Sequence, residues 1–328
     1  MQAYLAQEFK PVFNKTHSFI LSCLFLPFCF FANYCRCSYK AFFNINLLLM
    51  SPLAKYYYFN DRIVPAHEAV LPLQDLSMFR GYAIFDYART HQGKPLLLER
   101  YLKRFRSSAE ALGLALQQSD EALTKIILEL IERNDFPESG VRLLLTGGYS
   151  ADMFTPAAPN LVIRIENSIL APPTAYTEGV SLLTDEYLRD WPGVKHTNYL
   201  NAIRHWPRVS AAGATEILYH WQGEVLECSR SNFFIVKGGK VITPTTDHIL
   251  AGITRAGVLA LARQQGIETE ERIFSLEEVG KADEAFITGT TKRVMPVVKI
   301  DGRSIGSGKP GPVSQKLLQL WAEQVEGS

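Results

Sequence analysis

The chain has 328 residues, which is long enough for two domains with full hydrophobic cores. Hydrophobic residues make up 47% of the sequence and charged residues 20%, as in an ordinary soluble globular protein. The formal net charge of +1 gives no electrostatic reason to expect binding to nucleic acid or to an anionic membrane surface.

The first fifty residues differ in composition from the rest of the chain. The run 18–32 is apolar, follows basic residues and is interrupted by Pro27. We expect residues 1–52 to be a leader: a start assigned upstream of a true start at Met50, a secretory signal, or a membrane anchor. Only Cys228 among the five cysteines lies outside this leader, which predicts no disulfide framework and fits the cytoplasm. No two cysteine pairs stand at metal-ligand spacing, so we predict no metal site.

Strands and helices are predicted throughout the chain after the leader. Alternation of apolar and polar residues marks strands, and apolar residues three or four apart mark helices. In the first half the predicted elements are two strands within 56–65, a strand at 79–90, helices at 98–114 and from 119, and strands at 141–148 and 160–166.

A run with two adjacent prolines, Ala171 to Thr177, is the best linker candidate. We therefore predict a smaller N-terminal domain at 53–172 and a larger C-terminal domain at 173–328. In the second half the predicted elements are a strand at 180–184, a helix at 198–210, hairpins at 216–227, 232–243 and around 301–302, helices at 254–265 and 313–325, and a strand at 284–288.

The stretch 191–201 places Lys195 in a Pro/Gly turn between a predicted strand and a predicted helix. A lysine that forms a Schiff base must be reachable by a carbonyl group and yet rigidly aimed, and a turn braced by regular elements offers both. Most lysines in turns are merely solvated, so Lys195 is informative only together with the residues that follow it.

An aldehyde cofactor such as pyridoxal phosphate on Lys195 would need several further groups. Its pyridine nitrogen needs a carboxylate, and Glu227 lies on a strand just before a run of small polar residues. Its phosphate needs backbone N–H groups and a cation. The helix start at 252–255 and the turn at 289–291 offer the N–H groups, and Arg104, on a basic helix, could supply the cation.

These residues, in this order, resemble those of the class IV, or fold-type IV, pyridoxal-phosphate aminotransferases. That family includes branched-chain aminotransferase, D-amino-acid aminotransferase and aminodeoxychorismate lyase. The similarity starts near Tyr56 and is most specific at 195–201, 226–234, 252–255 and 288–296. The resemblance implies a two-domain α+β fold, with the cofactor in the interdomain cleft, and a homodimer or larger assembly.

The resemblance also implies a role for each matching residue. Lys195 matches the lysine that binds the cofactor and moves the proton, Glu227 matches the partner of the pyridine nitrogen, and Tyr199 matches the tyrosine beside the phenolic oxygen. The phosphate cradle is matched by Ile253, Thr254 and Thr290, with Arg104 as its arginine.

Three further residues are expected to contact the substrate. Arg142 matches an arginine that branched-chain enzymes keep near the substrate, Phe85 holds a position often occupied by tyrosine, and Thr291 follows the phosphate turn. The D-amino-acid enzymes carry an arginine in the turn where this chain has Thr146-Gly147-Gly148, which argues against their carboxylate site.

The function expected from this resemblance is transfer of an amino group between an amino acid, branched-chain or otherwise apolar and of the L series, and a 2-oxo acid. One alternative is a β-eliminating lyase that releases pyruvate, since His196 and Cys228 are similar to residues of that enzyme. Another is a non-catalytic, membrane-anchored binding paralogue. We expect small-molecule substrates and no nucleic-acid partner, and no membrane contact for the folded domains.

Overall fold

The computed structural model describes residues 54–327. The predictions for the leader at 1–52 lie outside this part of the chain. The described residues belong to one compact unit, in which helices pack against two β-sheets. The α+β class expected from the resemblance is therefore confirmed.

The first sheet is entirely antiparallel, and helices α1 (Leu76–Arg80), α2 (Leu98–Ala111) and α3 (Asp120–Asn134) accompany it. Its strands are β1 (Tyr56–Phe59), β2 (Arg62–Pro65), β3 (Ala83–His91), β4 (Lys94–Pro95), β5 (Ser139–Thr146) and β6 (Leu161–Asn167). They lie in the order β2-β1-β6-β5-β3-β4, so β3 and β5 are neighbours near one edge.

Local sequence signals explain much of this half. The Ser119 hydroxyl accepts a hydrogen bond from the Ala122 amide at 3.2 Å and so caps α3 at the predicted residue. The predicted strand at 79–90 is wrong at its start, because Asp75 caps the short helix α1 there. Gly81, with φ of +62°, ends that helix in the left-handed conformation that glycine adopts readily, and β3 begins two residues later.

The second sheet contains both parallel and antiparallel pairs. Its strands are β7 (Val180–Glu186), β8 (Glu216–Trp221), β9 (Glu224–Cys228), β10 (Asn232–Lys237), β11 (Lys240–Thr243), β12 (Thr269–Glu271), β13 (Glu284–Gly289), β14 (Arg293–Ile300) and β15 (Arg303–Ser304). They lie in the order β12-β11-β10-β13-β14-β7-β8-β9, and β15 pairs with β14.

Short and long helices connect these strands. They are α4 (Thr174–Thr177), α5 (Leu200–Ala211), α6 (Ile253–Gln264), α7 (Leu276–Gly280) and α8 (Pro312–Trp321). The chain passes from the first sheet to the second between β6 and β7, through the two prolines of the predicted linker. Because both sheets belong to one compact unit, the division into domains at 172/173 stays a prediction.

The segment that carries Lys195 joins the two sheets. The backbone carbonyl of Lys195 accepts a hydrogen bond from the Phe85 amide at 2.9 Å, and Ile84 forms an isolated antiparallel bridge with His196. Strand β3 of the first sheet is therefore fixed against the turn that precedes α5. Across residues 54–327, no helix has the length and apolar character needed to cross a membrane.

Candidate active site

A narrow cleft contains every residue predicted to hold a cofactor. It has a volume of about 50 Å³, and residues of the second half of the chain line it together with Arg104 from α2. Its lining includes Lys195, Arg104, Tyr199, Glu227, Ile253, Thr254 and Thr290. The side chains at 195 and 227 thus face the same space, as a shared cofactor requires.

A wider cavity of about 540 Å³ continues from this cleft, since the two share Lys195, Tyr199 and Thr290. All three residues predicted to contact the substrate line it, namely Phe85, Arg142 and Thr291. The structure therefore brings the predicted cofactor residues and the predicted substrate residues to two connected spaces, with the lysine at their junction.

Lys195 is half-buried, and its amine is less basic than that of an ordinary lysine. Burial, followed by the charge of Arg104, lowers the pKa of Lys195 from 10.5 to about 8. The Nζ atom lies 4.7 Å from the centre of the Phe85 ring. The backbone is held by the bond from the Phe85 amide to the Lys195 carbonyl and by a 3.3 Å hydrogen bond from the Lys195 amide to the Ser108 hydroxyl. Strand β3, through Phe85, and helix α2, through Ser108, thus fix the backbone that carries the amine.

Glu227 is buried in the narrow cleft and is paired with an arginine that the sequence interpretation missed. Arg189 Nη1 lies 2.6 Å from Glu227 Oε1, and the Leu250 amide donates to Oε2 at 3.1 Å. Burial raises the pKa of Glu227, and the nearby Arg189 charge opposes that rise. Arg189 also donates to the carbonyl of Val194, so it connects the acid to the turn that carries Lys195. Its only sequence signal is its position six residues before that lysine.

Helix α6 begins at the narrow cleft with free backbone donors. Gly252 precedes the helix without a side-chain cap, so the first amides, those of Ile253 and Thr254, have no partner within the helix. A Cβ atom on Gly252 would lie 1.9 Å from Asn232 Oδ1, so a larger residue here would displace the buried Asn232 side chain. The arrangement suits an anion, because free N–H groups and the helix dipole both favour negative charge.

Arg104 reaches the same cleft but is already paired with Asp86, whose role the sequence interpretation also missed. Its Nε and Nη2 atoms donate to the two Asp86 oxygens at 2.9 and 2.6 Å, and Asp86 is fully buried in β3. Burial acts to lower the pKa of Arg104, but Asp86 outweighs it and the pKa is raised. Asp86 therefore positions the guanidinium, and a carboxylate in the middle of an apolar strand was the available signal.

Hydroxyl groups near the start of β10 and the end of β13 are further hydrogen-bonding groups of the narrow cleft. Thr290 is already bonded to Tyr101 from α2, with 2.9 Å between the two oxygens. By contrast, the buried hydroxyls of Ser231 and Thr288, which also line the narrow cleft, have no hydrogen-bond partner among residues 54–327. Buried polar groups without partners are rare in folded proteins, so this cleft is built for a polar ligand.

The wide cavity has aromatic and charged walls. The rings of Phe85 and Tyr199 lie 5.9 Å apart, and Arg142 lies over the Phe85 ring at 5.5 Å. Arg142 also forms a two-point ion pair with Glu166, with contacts of 2.6 and 3.1 Å. Glu166 was not singled out from the sequence, because its partner lies on the neighbouring strand.

Two more cations line the wide cavity near Thr291. Arg230 and Lys292 both contact Glu216, a carboxylate that is fully buried beneath them. These two positive charges neutralise Glu216 and leave a net positive charge at this end. Among residues 54–327, no group of three or more His, Cys, Asp or Glu side chains is placed to hold a metal ion.

Comparison with known proteins places this arrangement in a family. Residues 83–300 match the family described as amino-transferase class IV. The chain belongs to this class IV aminotransferase family. This membership confirms the family expected from the sequence motifs and the class of enzyme, a transaminase.

Relatives in this family carry two kinds of name. Branched-chain-amino-acid aminotransferase-like protein 2 of Arabidopsis thaliana is 34% identical over 82% of this chain, and the chain spans about half (50%) of that relative's length. A D-alanine aminotransferase of Bacillus licheniformis is 31% identical over 79% of this chain and 93% of its own length.

A solved structure supports the fold over nearly the whole described chain. The T.th. branched-chain amino acid aminotransferase, solved with pyridoxamine 5'-phosphate, superposes with a TM-score of 0.79 at 28% identity. The match covers 84% of this chain and 95% of that chain. The fold-type IV architecture predicted from the resemblance is therefore confirmed.

Proposed function

We propose that this chain binds pyridoxal 5'-phosphate and transfers an amino group from an L-amino acid with a branched or other apolar side chain to a 2-oxo acid. The observation that carries the proposal is that Lys195 and Glu227 line one narrow cleft, which opens into a cavity of about 540 Å³. Membership of the class IV family supports the reaction, and the geometry supports the assignment of residues.

The residues of the narrow cleft fit this cofactor chemically. The free amides at the start of α6 (Ile253–Gln264), together with Thr290 and Arg104, would hold the phosphate. The unpaired hydroxyls of Ser231 and Thr288 provide further bonds for a polar ligand in the same cleft. Tyr199, which lines both the cleft and the cavity, would hold the phenolic oxygen.

Pyridoxal phosphate supplies an aldehyde that captures amino groups and a ring that withdraws electrons. Glu227 would face the pyridine nitrogen and keep it protonated, and the charge of Arg189 beside this carboxylate opposes the rise in pKa that burial causes. With a pKa of about 8, Lys195 has a neutral amine in roughly a tenth of the molecules at pH 7, far more than an ordinary lysine. Its Nζ can therefore accept and return a proton beside the substrate.

The wide cavity supports an apolar substrate side chain. Leu144, Ile169 and Phe85 contribute apolar surface, and the guanidinium of Arg142 is already neutralised by Glu166. Arg230, Lys292 and Thr291, which also line this cavity, offer donors for the carboxylate that every amino acid carries. A monocarboxylic amino acid thus meets donors for its carboxylate and apolar surface for its side chain.

A panel of amino donors tests the substrate assignment. We expect purified, cofactor-loaded protein to form products from L-leucine, L-valine or L-isoleucine with 2-oxoglutarate, and to favour these over the D enantiomers. Exclusive use of D-alanine would overturn the proposed stereochemistry. Pyruvate release from aminodeoxychorismate without an acceptor would instead identify the lyase reaction.

Substitution of Lys195 tests the reaction itself. Among the residues that the structure describes, Lys195 has the only amine that lines both the cleft and the cavity. Lys195→Ala removes this amine. We expect turnover to fall by roughly 10³-fold or more, because both covalent capture and proton transfer are lost. The surface variant Lys240→Ala is the matched control and should retain activity. Full transaminase activity in Lys195→Ala would rule out the proposed mechanism.

We further infer a homodimer, as the resemblance implied, and a location in the cytoplasm, as the cysteine usage suggested. Large exposed apolar side chains support a second copy, among them Phe154, Leu200 and Ile203. Cys228, the only cysteine among residues 54–327, is free and buried, which fits a reducing compartment. Sedimentation analysis showing only monomer at micromolar concentration would contradict the dimer.

A further inference from the structure

Three charged residues lie together on two neighbouring strands beside the wide cavity, and two of them, Arg142 and Glu166, line it. Arg142 on β5 (Ser139–Thr146) and Arg164 on β6 (Leu161–Asn167) are directly opposite each other in the antiparallel register. Glu166 lies two residues beyond Arg164 and so on the same face of the sheet. Two like charges in this position repel each other, and Glu166 offsets that repulsion.

The carboxylate is shared unequally between the two arginines. Arg142 donates to both oxygens of Glu166, at 2.6 Å from Nη2 and 3.1 Å from Nε. Arg164 reaches only Oε2, with its Nη2 at 2.9 Å. The donor edge of Arg142 formed by Nε and Nη2, which is the edge suited to two-point recognition of a carboxylate, is therefore taken by the protein's own acid.

The two arginines also differ in their access to the substrate space. Arg142 and Glu166 line the wide cavity with Lys195, whereas Arg164 is not part of its lining. Arg142 is held over the rings of Phe85 and Tyr87, at 5.5 and 5.0 Å. If a ligand carboxylate displaced Glu166 from Arg142, Arg164 could retain Glu166 outside the cavity. The three side chains carry a net charge of +1, so a bound carboxylate would neutralise them.

We propose that Glu166 is a specificity-determining residue that competes with a substrate's second carboxylate for Arg142. Apolar side chains leave the Arg142–Glu166 pair intact, and an acidic side chain binds only when Glu166 transfers to Arg164. This inference rests on the proposed function, because it takes the wide cavity to be the substrate site. It assigns the enzyme weaker binding of dicarboxylic substrates, 2-oxoglutarate included, than of monocarboxylic ones, set by a carboxylate that lines the cavity.

Unreactive acids separate this competition from catalysis. Glutarate and pentanoate have the same chain length and differ by one carboxylate, and calorimetry on the cofactor-loaded protein measures the Kd of each. We expect Glu166→Gln to lower the Kd of glutarate about tenfold, since the charged competitor is gone. The Kd of pentanoate should change by less than about twofold, because pentanoate does not need Arg142.

A second variant should change the ratio of the glutarate Kd to the pentanoate Kd in the opposite direction. In Arg164→Gln, Glu166 has no alternative partner and stays on Arg142, so the Kd of glutarate should rise at least about threefold. Glu138→Gln is the matched control: it removes the same charge from the start of β5 but contacts Gln92 and His91, not Arg142. The ratio of its glutarate Kd to its pentanoate Kd should equal that of the unmodified protein.

The outcomes separate the two proposals. If Glu166→Gln binds pentanoate normally but leaves the glutarate Kd within about twofold, the role of Glu166 is wrong and the aminotransferase proposal stands. The role of Glu166 is also wrong if Glu138→Gln tightens glutarate as much as Glu166→Gln does, because the effect is then general electrostatics. If no variant binds either acid and no amino donor is converted, the cavity is not a substrate site, and both proposals fail.

Discussion

The active-site region contains two arginine–carboxylate pairs that share the same closest distance but lie in very different surroundings. Arg189–Glu227 and Arg142–Glu166 each have a closest N–O distance of 2.6 Å. The first pair is 14% and 5% exposed and lies in the narrow cleft, whereas the second is 36% and 17% exposed and lies on the wall of the wide cavity. The pairs therefore differ in burial and in the number of contacts, one for Arg189–Glu227 and two for Arg142–Glu166, but not in their shortest distance.

Burial determines what each pair can do. A buried pair has lost its hydration, so removal of one partner leaves an uncompensated charge at a cost of about 3–5 kcal/mol. A partly exposed pair is screened by water and contributes about 0–1 kcal/mol. The Glu227 pair therefore suits a fixed electrostatic task towards a cofactor, and the Glu166 pair suits an exchange of partners when a substrate arrives.

The largest expected effect comes from the carboxylate of the buried pair. Glu227→Gln removes the charge that would keep the pyridine nitrogen protonated, so turnover with every donor should fall by about 10³-fold. Steady-state rates with apolar and acidic donors measure this. By contrast, Glu166→Gln should change the ratio between the two donor classes.

Glu138→Gln, the same substitution at an exposed acid, is the control for the Glu227 variant. The loss should be in kcat, with cofactor still bound, because Arg104 and the α6 amides that would hold the phosphate are untouched. A Glu227→Gln enzyme with an unchanged rate would show that another acid faces the ring.

The arginines of the two pairs should differ in their effect on stability. Arg189→Ala leaves Glu227 buried and unpaired, so the free energy of unfolding should fall by about 3 kcal/mol. Arg142→Ala leaves Glu166 in contact with Arg164 and water, and should cost about 1 kcal/mol or less. Urea denaturation of the two variants, compared with the unmodified protein, measures both values.

Equal losses of unfolding free energy in the two arginine variants would show that burial does not decide the strength of either pair. The role of burial would be supported further if the loss of unfolding free energy in Arg189→Ala disappeared in the double variant Arg189→Ala, Glu227→Gln. That result would attribute the cost to the unpaired charge and not to lost packing.

The smallest effect concerns the pH dependence of Lys195, which lies between the two pairs. Its folded pKa of about 8 is below the ordinary 10.5, so the reactive neutral amine forms as pH rises from about 7 to about 9. The rate at which cofactor-free protein takes up pyridoxal phosphate should therefore increase about tenfold over this range and then level off. Absorbance of the bound cofactor follows the reaction.

An uptake rate that keeps rising steadily to about pH 10 would indicate an ordinary lysine and contradict the depressed pKa. Lys195→Ala provides the baseline, since uptake by surface lysines such as Lys240 would persist in it.

Local signals predicted most of the fold, and the errors have local causes as well. The helix after Ser119 and the hairpin around 232–243 were found where capping and turn residues mark them. Residues 79–82 were assigned to a strand although Gly81 ends a short helix there. Strand β12 (Thr269–Glu271) was missed because it has only three residues and its parallel partner β11 is distant in sequence.

The residues of the candidate site likewise fall into those that local sequence marks and those that depend on distant partners. Lys195, the helix start at Gly252 and the turn at Gly289 could be recognised because each is a contiguous motif whose geometry is set by adjacent residues. Asp86 and Arg189 were missed because each acts through a partner, 18 and 38 residues away respectively. A sequence shows that a charged residue exists but not which opposite charge the fold brings to it.

The sequence by itself determined the family, the α+β class and the residues proposed to hold the cofactor, because these depend on short motifs and on local turn and helix preferences. Only the tertiary structure decided which carboxylate neutralises which arginine, and how deeply each pair is buried. These pairings come from contacts between distant strands and from the exclusion of water. They distinguish Glu227, in a buried pair, from Glu166, which lies where a substrate can compete with it.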